Sequence, residues 1–187
     1  MAADPTAADD LEAVLDEALA WVEAEPASAD AHYEAALAYE DLELEPERRA
    51  EMLEVLRLDT LADRRSLDAY EPLIGSVVER TLAELPRELR EKLGPVTILV
   101  QPRPDRALVE EGVDARVLGL FDGATAEQLA GTEAPLTPTR VLIFSHNLAC
   151  TFEDAATLRA EVATTVLHEI GHFFGLDEDD MHRLGLE

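Results

Sequence analysis

One cysteine in 187 residues leaves no internal disulfide to form, so the fold must be held by packing. Cys150 reads as a small buried thiol, and so little use of cysteine suits a reducing cytoplasm. No run of eighteen or more apolar residues exists, which argues against a membrane-spanning helix. The opening MAADPTAADD has no basic segment with an apolar one behind it, so no secretory signal is expected. Basic residues are scarce: 15 Lys and Arg stand against 41 Asp and Glu, a net charge of −26. Residues 1–47 hold fifteen Asp or Glu and no Lys or Arg. A surface of that sign repels phosphate backbones and anionic lipids, so neither nucleic acid nor a membrane is expected as a partner. It suits a solvated, solubilising face, or a docking surface for a basic protein partner.

The apolar share, 47%, is that of a chain with a core. Residues 1–10 read as an acidic tail. From Leu11 to about Leu58 the apolar spacing is helical, through LEAVLDEALAWVEAEP, ADAHYEAALAYEDLEL and PERRAEMLEVLRLD. EALAWVEAEP from Glu17 and EMLEVLRLDT from Glu51 align at an offset of 34 residues, with Ala36 and Tyr39 between them. That period resembles a tetratricopeptide fragment of about one and a half units; a plain helical hairpin packed on the main domain explains it equally. His32 in this region reads as a packing residue.

TLADRRS (60–66) is a joint, dividing an acidic helical extension, residues 1–62, from a second domain, 63–187. Arg64 and Arg65 there are expected to cap or pair with carboxylates. A helical stretch interrupted at Pro86 follows, and then the period switches to two. VTILVQ (96–101), RVLGLFDG (116–123) and RVLIFSHNL (140–148) read as strands between Pro- and Gly-bearing loops. Thr151-Phe-Glu-Asp154 matches a capping box opening a long helix. Helices, strands and a final helix make an α+β layer.

That final helix carries His168-Glu169-x-x-His172. Residues four apart share a helix face, so the two imidazoles can reach one ion, and zinc is the metal that this pattern suits. Glu169 is rotated about 100° from His168, near enough to act as general base without binding the metal. Zinc lowers the pKa of a bound water toward about 7; the carboxylate takes its proton and passes it to a leaving amine. Gly171 keeps the helix slim between the ligands, and Gly175 can take positive φ and turn the chain back beneath the metal. Phe173 and Phe174 read as core. Such a site needs a third protein ligand. Fifteen residues follow His172 in the sequence, too few for a distant second helix, so it is expected among Asp177, Glu178, Asp179, Asp180 and His182.

From Leu67 to Glu187 the chain resembles the small bacterial zincin-like metallopeptidases, which carry HExxHxxGxxD. The resemblance rests on LPRELREKLGPVTILVQ, LGLFDG, RVLIFSHNL and TVLHEIGHFFGLDEDDMHRLG. It implies a small mixed sheet with an active-site helix packed beneath it, one catalytic-type zinc, and a peptide or protein substrate. It also puts the third ligand three residues after the glycine, at Glu178, where the family has Asp. In larger zincins a Tyr or His from beyond the third ligand steadies the oxyanion, a role for which His182 is available here. An edge strand pairs with extended substrate in zincins, so His146 and Asn147, at or just past the third strand, are expected near the cleft. A reading from another class is a zinc-stabilised protein-binding module without turnover.

Overall fold

A computed structural model describes residues 5–62, 67, 69–94, 96–131 and 138–185, in two compact units. One takes the chain to Arg64 together with Arg103–Arg116, and the other takes Arg65–Pro102 and Val117–Glu187. Arg64 and Arg65, expected at caps or ion pairs, lie outside the described residues.

In the first unit, α1 (Pro5–Ala24), α2 (Ala29–Asp41) and α3 (Glu45–Ala62) follow the apolar periodicity, with α1 starting at Pro5 rather than after a tail of ten residues. Small side chains let the helices approach closely: Ala18 packs with Ala35 and Ala38, while Ala36 meets Met52 and Val55. The same apolar cluster takes in Val109 and Ala115. Both come from a segment that reads in sequence as a loop between strands. It forms the short α6 (Arg106–Glu110), capped by the Asp105 carboxylate, which accepts from Leu108 N–H at 3.0 Å. Polar anchors fasten it too. Arg116 bonds Asp59 at 2.9 Å and Asp30 at 2.8 Å, and lies 4.8 Å over the Tyr33 ring. The Tyr33 hydroxyl donates to Asp114 at 2.9 Å, and the buried Arg48 donates to the Gly112 carbonyl at 3.0 Å. His32 pairs through Nδ1 with Glu51 and through Nε2 with the Pro26 carbonyl, a packing role with both ring nitrogens engaged.

In the second unit, α4 (Glu71–Glu84) and α5 (Arg87–Lys92) are separated by Leu85-Pro86, where a proline cannot continue the first helix. The sheet holds β1 (Thr97–Gln101), β2 (Gly119–Asp122) and β3 (Arg140–Phe144), in the order β1-β3-β2. β3 runs parallel to β1 and antiparallel to β2, Gly119 facing Ile143 and Asp122 facing Arg140. β2 is therefore an edge strand, followed by α7 (Ala126–Leu129). The long α9 (Ala155–Phe173) presents Leu158, Val162, Val166, Ile170 and Phe173 to a core shared with Val141 and Ile143 of β3 and Ile74, Val77 and Val78 of α4. Three- and four-residue steps place those five side chains on one stripe. This is the mixed sheet with a motif helix that the α+β reading expects.

Three local expectations need correction. β3 stops at Phe144, not at residue 148, because Ser145 Oγ donates to the Gln101 carbonyl at 3.2 Å and His146 N–H to the Pro102 carbonyl at 2.9 Å, turning the chain into α8 (Ser145–Thr151). Thr151 thus closes α8, donating to the Asn147 carbonyl; the cap of α9 is Asp154, whose carboxylate accepts from the N–H groups of Ala156 and Thr157 at 3.0 and 2.8 Å. Cys150, on α8, is exposed rather than buried. Among the described residues no helix is long and apolar enough to cross a membrane.

Candidate metal centre

His168 and His172 stand one turn apart near the end of α9, rings edge to face at 4.6 Å between centroids and Nε2 atoms 3.0 Å apart. The helix then ends in a Schellman turn: Leu176 N–H bonds the Gly171 carbonyl at 3.1 Å and Gly175 N–H the His172 carbonyl at 2.9 Å. Gly175 makes this possible with φ of 82°, as its position in the motif suggests. The turn returns the Leu176 carbonyl to His172, where it accepts from Nδ1 at 3.3 Å. A carbonyl only accepts, so Nδ1 is the donor here, which leaves Nε2 as the ring nitrogen that could bind a metal.

Past the turn, α10 (Glu178–Leu184) begins with Glu178. Its carboxylate oxygens lie 3.4 Å from His172 Nε2 and 3.9 Å from His168 Nε2. The ligand atoms of His168, His172 and Glu178 all fall within 4.8 Å of one another. Two of the neighbouring acids are occupied otherwise. Asp177 caps α10, accepting from Asp180 N–H at 2.9 Å, while the Asp180 carboxylate accepts from Asp177 N–H and pairs with Arg183. Asp179 and His182 are exposed.

Glu169, on the same helix, is under cover. It is 7% exposed, against 74% for the Glu178 side chain. Burial pushes its carboxyl up to about 7, partly opposed by His168 and by a hydrogen bond from Phe121 N–H of β2; Glu178 adds to the rise. A group poised near neutrality in a cleft is suited to taking and returning a proton. β2 reaches it because Gly119 has no side chain: a Cβ there would stand 2.8 Å from Glu169 Cγ.

The cleft that gathers these groups has a volume of about 590 Å³, with Gly119, Phe121 and Thr125 on one side and His168, Glu169 and Glu178 on the other. His146 and Asn147 do not line it. Both are buried in α8, where Asn147 Nδ2 donates to the Val117 carbonyl at 2.7 Å. His182 does not line it either. Phe121, whose backbone holds Glu169, and Leu176, whose carbonyl orients His172, carry no signal in the sequence, because a backbone group leaves no mark in residue type. Gly119 did leave one, since glycine inside a strand signals a close approach.

A donor set of two imidazoles and one carboxylate is that of catalytic zinc sites. A tetrahedral ion with bonds of about 2.0–2.1 Å keeps its donors about 3.3–3.4 Å apart. Separations of 3.0, 3.4 and 3.9 Å bracket that spacing. His168, His172 and Glu178 can hold such an ion.

No curated protein matches the chain. A family model described as zincin-like metallopeptidase matches residues 93–186, half of the chain, spanning all three strands, the motif helix and the turn to Glu178. The chain belongs to the zincin-like metallopeptidase family.

Proposed function

We propose that the protein is a zinc-dependent peptidase, with His168, His172 and Glu178 as metal ligands and Glu169 as general base. The reading rests on one observation above others: three ligand atoms converge at the mouth of a cleft in which a buried glutamate stands beside them. Bound zinc would supply Lewis acidity and acidify water. The remaining work belongs to the chain. Glu169, held by Phe121 N–H, takes a proton from the attacking water and delivers it to the departing amine nitrogen. β2, paired with β3 on one side, offers its other edge to an extended peptide, whose backbone would be fixed by strand addition. The Leu176 carbonyl holds the His172 tautomer throughout.

Glu169→Gln removes the base and no ligand. With zinc retained, hydrolysis of a library of unstructured peptides is expected to fall by about 10²-fold or more. A zinc-loaded wild type that cleaves no member of the library would replace this reading with that of a zinc-stabilised binding module.

A further inference from the structure

Glu178 has little of its own to hold it. Its side chain is 74% exposed, and in α10 the one buried residue is Met181, at 0%. A seven-residue helix has no stability in isolation, so its placement depends on that anchor and on the turn before it. The seat for Met181 is Gly171, inside the histidine motif. A Cβ on Gly171 would overlap Met181 Cε and stand 2.6 Å from its Sδ, and would meet Leu176 Cδ1 at 3.5 Å. Any larger residue there would force the flexible end of Met181 out of this seat.

The spacing connects this seat to the metal ligands. Gly171 follows His168 by three residues, and Met181 follows Glu178 by three, so each pair shares a helix face. Seating Met181 on Gly171 therefore turns Glu178 toward His168 and His172. The first turn of α10 is fixed as well, by the reciprocal bonds of Asp177 and Asp180, so a shift at Met181 is transmitted to Glu178 rather than absorbed between them.

We infer that Met181 and Gly171 are positioning residues for the third metal ligand, and that their contact sets the metal affinity of the site. This rests on the reading of Glu178 as a ligand. It gives a reason for glycine at 171 beyond slimness of the helix, and for methionine, whose unbranched, flexible side chain fills an irregular seat, at 181.

The test is a zinc titration of the full chain in two backgrounds. With Glu178 present, Met181→Ala is expected to weaken zinc binding by about tenfold or more, and Met181→Leu, which keeps the apolar volume, to stay within about threefold of wild type. In a Glu178→Ala background, Met181→Ala is expected to add nothing, because it acts through the carboxylate already removed. Circular dichroism of the metal-free proteins reads the fold separately. Should Met181→Ala not fold, Gly171→Ala makes the same comparison by adding one methyl to the seat. An equal loss in both backgrounds, or no loss with Glu178 present, overturns the inference. Unchanged affinity in Glu178→Ala alone instead overturns the ligand reading on which it rests.

Discussion

Gly119 of β2 lies so close to Glu169 of α9 that a Cβ on the glycine would stand 2.8 Å from both Cγ and Oε1 of the glutamate, and 2.7 Å from Cγ2 of Thr165. The edge strand and the motif helix thus meet at the carboxylate that the proposed chemistry uses. Gly119→Ala must displace either the strand or the side chain, and Phe121 N–H moves with the strand. Because the three metal donors lie outside this contact, zinc should stay bound with wild-type stoichiometry while kcat/KM on a cleaved peptide drops by about 10²-fold, the cost of misplacing a reacting group by about 1 Å. Steady-state kinetics beside metal analysis checks this; full activity in Gly119→Ala would show that the close approach is incidental.

Tyr33 carries a second, independent prediction. Burial, with the Asp114 carboxylate beside it, raises its hydroxyl from the ordinary value near 10 to about 12. The folded state therefore keeps a proton that the unfolded state releases. Stability from this group is fully present below pH 10 and is lost as pH rises toward 12. Ultraviolet titration of the three tyrosines should show a late phase near pH 12 that Tyr33→Phe removes, with a shallower alkaline loss of stability in the variant. All three ionising near 10 would contradict it.

The packing of residues 103–116 against the N-terminal helices can be read by proteolysis. Val109 and Ala115 share their apolar cluster with Ala36, Met52 and Val55, and Arg116 is held by Asp30 and Asp59. Deleting residues 1–62 strips away all of these partners. Trypsin is expected to cut the shortened chain rapidly after Arg106 or Arg116 and the full chain slowly there, mass spectrometry identifying the sites. Equal protection in both would mean that the segment needs no support from the helices.

Much of the second unit was legible in the sequence because its signals are local. The four-residue histidine step, the glycine that turns the chain, and the switch to a two-residue period each depend on a few neighbouring side chains. What escaped depends on partners distant in sequence. RVLIFSHNL reads as one continuous strand, yet it breaks at Ser145 because the Gln101 and Pro102 carbonyls capture Ser145 and His146. The true cap, Asp154, lies three residues beyond Thr151 because that break gave Thr151 to α8. Likewise the stretch 103–116 carries too few apolar residues to announce a core role, and its burial is decided by Arg48, Asp59 and Tyr33, all from the first sixty residues. At the site, the residues after Gly175 offered Asp177, Glu178, Asp179, Asp180 and His182 as third ligand, and the family's spacing pointed to Glu178. The engagement of Asp177 and Asp180 in capping α10 adds a reason that no residue spacing carries.

The central claim is that His168, His172 and Glu178 together hold one zinc ion. Calorimetric titration of zinc into chelator-stripped protein tests it most directly, comparing wild type with His168→Ala, His172→Ala, Glu178→Ala and Asp179→Ala. Wild type and Asp179→Ala are expected to bind one ion per chain with matching affinity, the two histidine variants to lose binding, and Glu178→Ala to bind about tenfold more weakly or worse. Undiminished binding in both histidine variants, or a greater loss in Asp179→Ala than in Glu178→Ala, would contradict the account.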